Sequence, residues 1–431
     1  MSEEKENHSL LFHSLWRLAQ IMSSGGFTIV YVAFYTASLS KENWGVYGVA
    51  ITIGQLLQGA SNFGLRQTVT RFIAKARGEK NPGHIREYTR VGFKVSLVIS
   101  GAALLLTLAC TGLLTSFFDG RADRFAIVLL IGATTFLAGI SLFLQGVLEG
   151  LAKFKNVMLL NFALNVLQLG LLALLLIGEL SVTKVLATEM TIMAFSIPIY
   201  GSQVLRQLKS LPRSGDVPPR VVRTFLSYGL PLFINLLGGF LYTQSDVLFV
   251  QKLLTVDDTA NYFFMQRIFG FPFQALGAYI FVLNTEIAVC YGAKDFPRIR
   301  ALFSKSEKIG VFAGIGIAAA FYMFSFAVEG LMPEYAGAAH LIRLISPLVV
   351  IKCIAQIASG AFMISLGRVK TMAAFTVVGG LTNVALNLAF IPAFGVDGAV
   401  YSTLVGHTIV GMASFFFVIY TLRRHGAKAA P

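Results

Sequence analysis

"LSKENWGVY" (Leu39–Tyr47) returns, much altered, as "LTVDDTANY" (Leu254–Tyr262). Each stretch opens on Leu and a hydroxyl residue, carries an acid at its fourth position and closes on Tyr, 215 residues apart. The same offset takes Lys153-x-Lys155 onto Arg368-x-Lys370, and Gly25-Gly26 falls two residues out of register with Gly238-Gly239. An offset held over more than a hundred residues reads as a parallel duplication, six helices followed by six in the same orientation.

The composition says where those helices lie. The chain has 431 residues, of which 55% are hydrophobic and only 13% charged, against roughly 25% charged in a soluble protein. Apolar runs of about 18–25 residues recur along it, enough to cross about 30 Å of hydrocarbon. They are continuous and do not alternate polar with apolar, which excludes a β-barrel. The expected fold is an all-α polytopic membrane protein, with about twelve transmembrane helices in two pseudo-symmetric six-helix lobes around a central cavity. The spans fall at 11–38, 44–70, 92–117, 125–148, 156–178 and 183–206, then at 224–254, 259–289, 308–328, 336–364, 371–392 and 397–421. An N-lobe (1–210) and a C-lobe (224–431) are joined by a cytoplasmic linker (211–223). The surrounding "RQLKSLPRSGDVPPRVVR" (206–223) is rich in Pro, Gly and Ser and reads as a hinge.

A net charge of +14 invites a nucleic-acid reading, but its distribution argues for topology. Alternate loops are basic: Arg71 to Lys94, Lys153 and Lys155, Arg206 to Arg223, Lys294 to Lys308, Arg368 and Lys370, and the tail with Arg423, Arg424 and Lys428. The opposite loops offer only Lys41, Arg121, Arg124, Lys184 and Lys252. The positive-inside rule then puts both termini in the cytoplasm. Anionic membrane lipids become the expected partners of the basic loops, and no nucleic acid is required. The N-terminus lacks a basic n-region and a cleavage site, so the first helix itself reads as the membrane signal. Cys110, Cys290 and Cys353 are scattered and form no CxxC pair, so they read as packing residues.

Several helices carry one polar face. On the first, Arg17, Gln20, Ser24, Thr28, Tyr31 and Tyr35 recur at steps of three or four; on the second, Thr52, Gln55, Gly59, Asn62 and Arg66 do the same. The offset carries these faces onto Leu232, Asn235, Gly239, Thr243 and Asp246 of the seventh helix, and onto Arg267, Gly270, Gln274, Gly277 and Phe281 of the eighth. Small and polar side chains also simply glue helices together in lipid. A lone charge near a helix centre is harder to dismiss, at about 2.5–3.5 kcal/mol on insertion scales. Arg17 and Arg66 lie near cytoplasmic ends, where snorkelling competes; Lys352, near the middle of the tenth helix, does not snorkel easily. The candidate substrate-binding residues are Arg17, Arg66, Arg267 and Lys352 with Gln20, Gln55, Asn62, Gln274 and Asn235, against Asp246 and Glu189. Arginine's planar fork suits phosphate oxygens, so such a lumen fits an anionic, sugar-bearing ligand better than a lipophilic cation.

Two longer segments carry a family resemblance: "LSKENWGVYGVAITIGQLLQGASNFGLRQTVTRFIA" (39–74) and "GRVKTMAAFTVVGGLTNVALNLAFIPAFGVDGAVYSTLVGH" (367–407). With the six-plus-six arrangement, they resemble the multidrug/oligosaccharidyl-lipid/polysaccharide exporter superfamily, the first being similar to the start of Wzx-type flippases. The resemblance implies a V-shaped pair of lobes in a bacterial inner membrane. These carry undecaprenyl-diphosphate-linked oligosaccharide (an O-antigen, capsule or exopolysaccharide repeat unit) to the periplasmic leaflet by ion-coupled alternating access. A polysaccharide polymerase and chain-length machinery are the protein partners such a role implies. Two features depart from relatives. Lipid II flippases have fourteen helices and a lipid groove from the extra pair, and many multidrug members place an acid on the first helix, which this chain lacks.

In those lipid II flippases a sodium site joins a helix-seven Asp to an amide/carboxylate pair on helix eleven and a Thr on helix twelve. Asp246, Asn383, Asn387 and Thr403 occupy the matching places, with Asn387 where the relatives have an acid. All four offer oxygen, as a hard cation requires. The resemblance therefore implies Na+ or H+ as coupling ion and no organic cofactor, with an Asp246–Arg267 ion pair as the competing reading. Gly25-Gly26, Gly238-Gly239, Pro231 and Pro272 are the expected bending points of helices one, seven and eight. The alternative function is a cation-coupled multidrug antiporter of the same superfamily, which an acidic, aromatic lumen would favour. An enzyme is not expected: no P-loop, zinc motif or Ser/His/Asp set appears. Asp257-Asp258 reads as a helix cap, and His407 as a packed polar side chain or a proton carrier.

Overall fold

The computed structural model describes residues 2–176, 178–211 and 220–427, and within them the side chains other than those of 2–15, 17, 18, 21, 285 and 425–427. The centre of the expected linker (212–219) lies outside the described residues. The described chain is helical almost throughout and divides into two compact units, Met1–Leu236 and Leu237–Pro431.

The first unit runs α1 (Ser2–Ser38), α2 (Lys41–Asn62), α3 (Leu65–Gly78), α4 (Pro82–Ala109), α5 (Thr111–Thr115), α6 (Arg124–Gly150), α7 (Phe154–Leu175), α8 (Val182–Lys209) and the first half of α9 (Val221–Thr243). Helix starts are set locally. Ser40, Asn81 and Ser181 each accept a backbone N–H from the first turn that follows them, which satisfies a donor the helix itself leaves open. The core gathers Leu65, Val69 and Ile73 of α3 with Phe143, Val147 and Leu148 of α6 and Tyr200 and Val204 of α8. Val221 and Phe225 belong to the same cluster, so the helix after the linker begins as part of this unit.

The second unit holds the end of α9, then α10 (Asp246–Leu253), α11 (Val256–Gly270), α12 (Pro272–Gly292), α13 (Phe296–Leu331), α14 (Ala336–Ile345), α15 (Leu348–Ile357), α16 (Val369–Phe394) and α17 (Val396–Ala427). Its core joins Ile280 and Leu283 of α12, Phe303 of α13, Ile357 of α15 and Val418 of α17. Asp257 and Asp258 lie where a cap was expected: Thr255 and Asp258 form a reciprocal capping box at the start of α11.

Nine helices among the described residues are long and apolar enough to cross a membrane, and a tenth span is the bent pair formed by Pro333–Ile345 and Leu348–Met363. This is a multi-pass helical membrane protein. Five stretches expected as single helices are broken. The 92–117 span breaks at Cys110, between α4 and α5. The 44–70 span ends at Asn62 and restarts at Leu65, with Phe63 (φ 43°) and Gly64 (φ 69°) both left-handed. The 224–254 span breaks at Gln244 and Ser245, both of whose N–H groups donate to the Phe240 carbonyl. The 259–289 span breaks where Pro272 opens α12. The 336–364 span turns by 57° beside Pro347, which has no N–H to continue the ladder. Of the expected bending points only Pro272 sits at a break; Gly25-Gly26 lies inside α1, and Pro231 and Gly238-Gly239 inside α9.

Candidate functional site

The break between α9 and α10 puts Asp246 at the first turn of a helix, where the open N–H groups favour a carboxylate. Thr243, just before the break, has its carbonyl bound by the Gln266 amide of α11 at 3.0 Å. Asp246 is buried, 1% exposed, and an ion so placed must find donors. Tyr262 of α11 donates its hydroxyl to Oδ2 at 2.8 Å. Thr403 of α17 holds Oγ1 2.7 Å from the same oxygen. Asn387 of α16 donates Nδ2 to Oδ1, and the same amide donates to Asn383 Oδ1 at 3.0 Å. One carboxylate thus ties α10 to three other helices through neutral donors.

The structure therefore brings Asp246, Asn383, Asn387 and Thr403 together, and adds Tyr262, the closing residue of the second repeated stretch. An Asp246–Arg267 ion pair was the competing expectation. The carboxylate instead takes the three neutral donors, and the Arg267 guanidinium lies 4.5 Å over the Phe263 ring. Two buried atoms of the cluster, Asn387 Oδ1 and Asn383 Nδ2, have no hydrogen-bond partner. An orphaned amide oxygen beside a carboxylate, a second amide and a hydroxyl is a donor set that fits a hard monovalent cation, since only one formal charge is present. On the next turn of α17, His407 Nδ1 lies 2.9 Å from the Thr403 carbonyl and its ring stacks on Tyr242 at 4.1 Å. It is a packed side chain, 2% exposed.

The remaining candidates do different things. Arg66, expected as a lone cation, is paired: Nη2 lies 2.6 Å and Nε 3.2 Å from the two oxygens of Glu149, which is 7% exposed. The span expected at 125–148 excludes Glu149, whereas α6 runs to Gly150 and carries it. Asn62, at the end of α2, accepts the Arg66 backbone N–H at 3.2 Å, so it satisfies one of the open donors at the start of α3. Lys352 has its ammonium 4.5 Å from the Phe269 ring and 4.2 Å from the Phe273 ring, a cation held by aromatic faces. Gln20 is buried, Gln55 and Gln274 are half-buried, and Asn235 is half-buried with its Oδ1 unpartnered. The Arg17 side chain lies outside the described residues.

The first unit has its own carboxylate. Glu189 of α8 accepts the Tyr47 hydroxyl at 2.7 Å. Tyr47 packs against Tyr35 (4.9 Å) and Trp44 (5.8 Å), and Tyr35 stacks on Tyr31 at 5.9 Å. Tyr47 and Tyr262 are the equivalent tyrosines of the repeat, so in each unit this residue donates to an acid. The acid comes from α8 in one unit and from α10 in the other.

Known proteins resemble the chain at two levels. An uncharacterized membrane protein of Methanocaldococcus jannaschii is 20% identical over 426 residues, covering 94% of this chain and 82% of that protein. Among solved structures, an inward-facing multidrug resistance MATE family transporter of the MOP superfamily matches with a TM-score of 0.78 at 14% identity, covering 97% of this chain and 96% of its own. A MOP superfamily transporter from Pyrococcus furiosus, whose binding pocket is described as of reverse polarity, suggesting a different function, matches at 0.72 and 12% identity, with the same coverage. At such identities the likeness is one of fold. The family model for polysaccharide biosynthesis proteins matches residues 13–283, more than half of the sequence. The chain therefore belongs to the polysaccharide biosynthesis protein family, built on the fold of the MOP-superfamily transporters.

Proposed function

We propose that the protein is a flippase for a polyprenyl-diphosphate-linked oligosaccharide, moving it from the cytoplasmic to the periplasmic leaflet of a bacterial inner membrane. The observation that carries the cargo class is the family match over residues 13–283. The cationic side chains of the second unit support it. Lys352 rests on two phenylalanine rings and has no carboxylate within ion-pair distance among the described residues, so its charge is open to a diphosphate.

Coupling is assigned to Asp246. When bound, a sodium ion or a proton would supply one positive charge to the buried carboxylate. Asp246, Asn383, Asn387 and Thr403 would hold a sodium ion; Asp246 alone would hold a proton. The chain's own contribution is mechanical. Tyr262, Asn387 and Thr403 each donate to Asp246 from a different helix, and Asp246 directly follows the α9–α10 break. Changing what the carboxylate accepts changes which helices are fastened at that break, which is how a small ion would bias two arrangements.

A cation-coupled multidrug antiporter is the second reading, favoured by one feature: the Tyr31, Tyr35, Trp44, Tyr47 and Glu189 cluster of the first unit. Aromatic faces beside a carboxylate suit an organic cation. The two readings separate in proteoliposomes, with a fluorescent polyprenyl-diphosphate saccharide in one assay and ethidium in the other. The flippase reading expects saccharide to cross leaflets, faster under a sodium or proton gradient, with the gradient response lost in Asp246→Asn. Ethidium movement without saccharide movement would establish the antiporter instead. A gradient response retained by Asp246→Asn would remove Asp246 from coupling.

A further inference from the structure

The second unit carries a cleft that the proposed transport cycle does not use. It is floored by α15, which packs closely on both of its neighbours. A Cβ at Gly310 or Gly314 of α13 would meet Ile357 at 2.7 Å and Val350 at 2.8 Å, and one at Gly411 of α17 would meet Ala355 at 2.8 Å. Above that floor a cavity of about 750 Å³ opens between α13 and α17, within the size range of small-molecule sites. Ile351 and Ile354 form its base. Its lips are apolar and turned outward: Phe312 is 74% exposed, Met412 50% and Phe416 56%. At one end Phe303 closes on Phe415 at 5.6 Å.

One turn from Phe303, Glu307 lines this cleft. It is 8% exposed, and neither carboxylate oxygen has a hydrogen-bond partner. A buried acid is not satisfied by apolar walls in either protonation state, and the cleft that Glu307 lines is a route by which a donor could reach it. Lys308, exposed, lines the same cleft and is not bonded to Glu307. A carboxylate and an ammonium therefore stand side by side at the end of an apolar cleft. α13 is 36 residues long, about 54 Å at 1.5 Å per residue against a hydrocarbon core of about 30 Å. Its first turns, with Arg298, Arg300 and Lys305, thus project beyond the hydrocarbon and leave Glu307 near headgroup depth.

We infer that this cleft is a binding site for a phospholipid with a primary-amine headgroup. The acyl chain lies along Ile351, Ile354 and Met412, the ammonium donates to Glu307, and the phosphate faces Lys308. Charge complementarity selects the headgroup. An anionic phosphoglycerol lipid would set like charge against Glu307, and a choline lipid has no N–H to donate. The site is independent of what the protein transports.

Native mass spectrometry of the purified full chain tests it, using phosphatidylethanolamine, phosphatidylcholine and phosphatidylglycerol with identical acyl chains. The ethanolamine lipid should be retained about tenfold over the other two, the worth of a charge-assisted hydrogen bond. Glu307→Gln should abolish that preference. Where the variant does not fold, the wild type is challenged with the mono- and dimethylated ethanolamine lipids, and retention should fall as N–H groups are removed. Soluble phosphoethanolamine should not compete, since it lacks the chain. Equal retention of all three lipids, a preference that survives Glu307→Gln, or indifference to N-methylation would overturn the assignment.

Discussion

Arg66 shows how one partner changes what a residue is for. Read alone, an arginine in a lipid-spanning stretch is a cation awaiting an oxyanion. Beside Glu149 it is half of a largely buried, two-pronged ion pair, and removing one half of such a pair costs about 3–5 kcal/mol. Arg66→Ala should therefore lower the melting temperature of the detergent-solubilised protein. Arg66→Ala combined with Glu149→Gln should recover most of that loss, because no charge is then stranded. A single variant as stable as wild type would make the pair irrelevant to folding. If the stable double variant also flips saccharide normally, Arg66 has no role in cargo binding. Asp246 is the opposite case. Its place on a polar face was readable from spacing, and three of its neighbours were suggested by resemblance. Tyr262 was in view as a repeat marker, yet nothing in a period of three or four reveals that its hydroxyl reaches an acid sixteen residues back.

Helix breaks decide where these side chains stand. The faces of the second helix were legible because apolar residues at a helical period declare themselves. The break at Phe63-Gly64 was not, since phenylalanine is no breaker and a single glycine is tolerated within helices. It is fixed by tertiary contact: a Cβ at Gly64 would lie 2.7 Å from Leu232 Cβ, and Phe63 stacks on Phe233 at 5.1 Å. Gly64 also has φ +69°, a conformation that side chains disfavour. Gly64→Ala should thus destabilise by at least about 1 kcal/mol. Asn62→Ala, which removes the side-chain acceptor of the Arg66 N–H, should cost about 1 kcal/mol. Thermal unfolding in detergent reads both, and no change in either would mean that α2 and α3 can merge without penalty. Pro272, by contrast, is readable as a break because proline removes a donor, but the same rule places one at Pro231, which sits inside an unbroken α9.

The internal repeat makes the two units comparable without making them equal. Tyr47 and Tyr262 each donate to an acid, but Tyr47 brings Glu189 into a cluster of aromatic rings, whereas Asp246 lies among amides and hydroxyls. The two tyrosines, 215 residues apart, thus meet two different chemistries, which the offset alone does not disclose. The parallel repeat also constrains topology, because equivalent loops of two halves in the same orientation must lie on the same side. Lys153-x-Lys155 and Arg368-x-Lys370 are equivalent and both basic; Lys41 to Asn43 and Val256 to Asp258 are equivalent and carry acids. Positive charge is retained in the cytoplasm. A reporter fused after Lys209 or at the C-terminus should therefore be active only when cytoplasmic. One inserted at Thr255, where a capping box closes a short connection, should be active only outside. The connection around Ser40 should match Thr255 and not Lys209. Ser40 and Thr255 on opposite sides would mean that the halves are inverted, and the equivalence of Tyr47 with Tyr262 would then be coincidence.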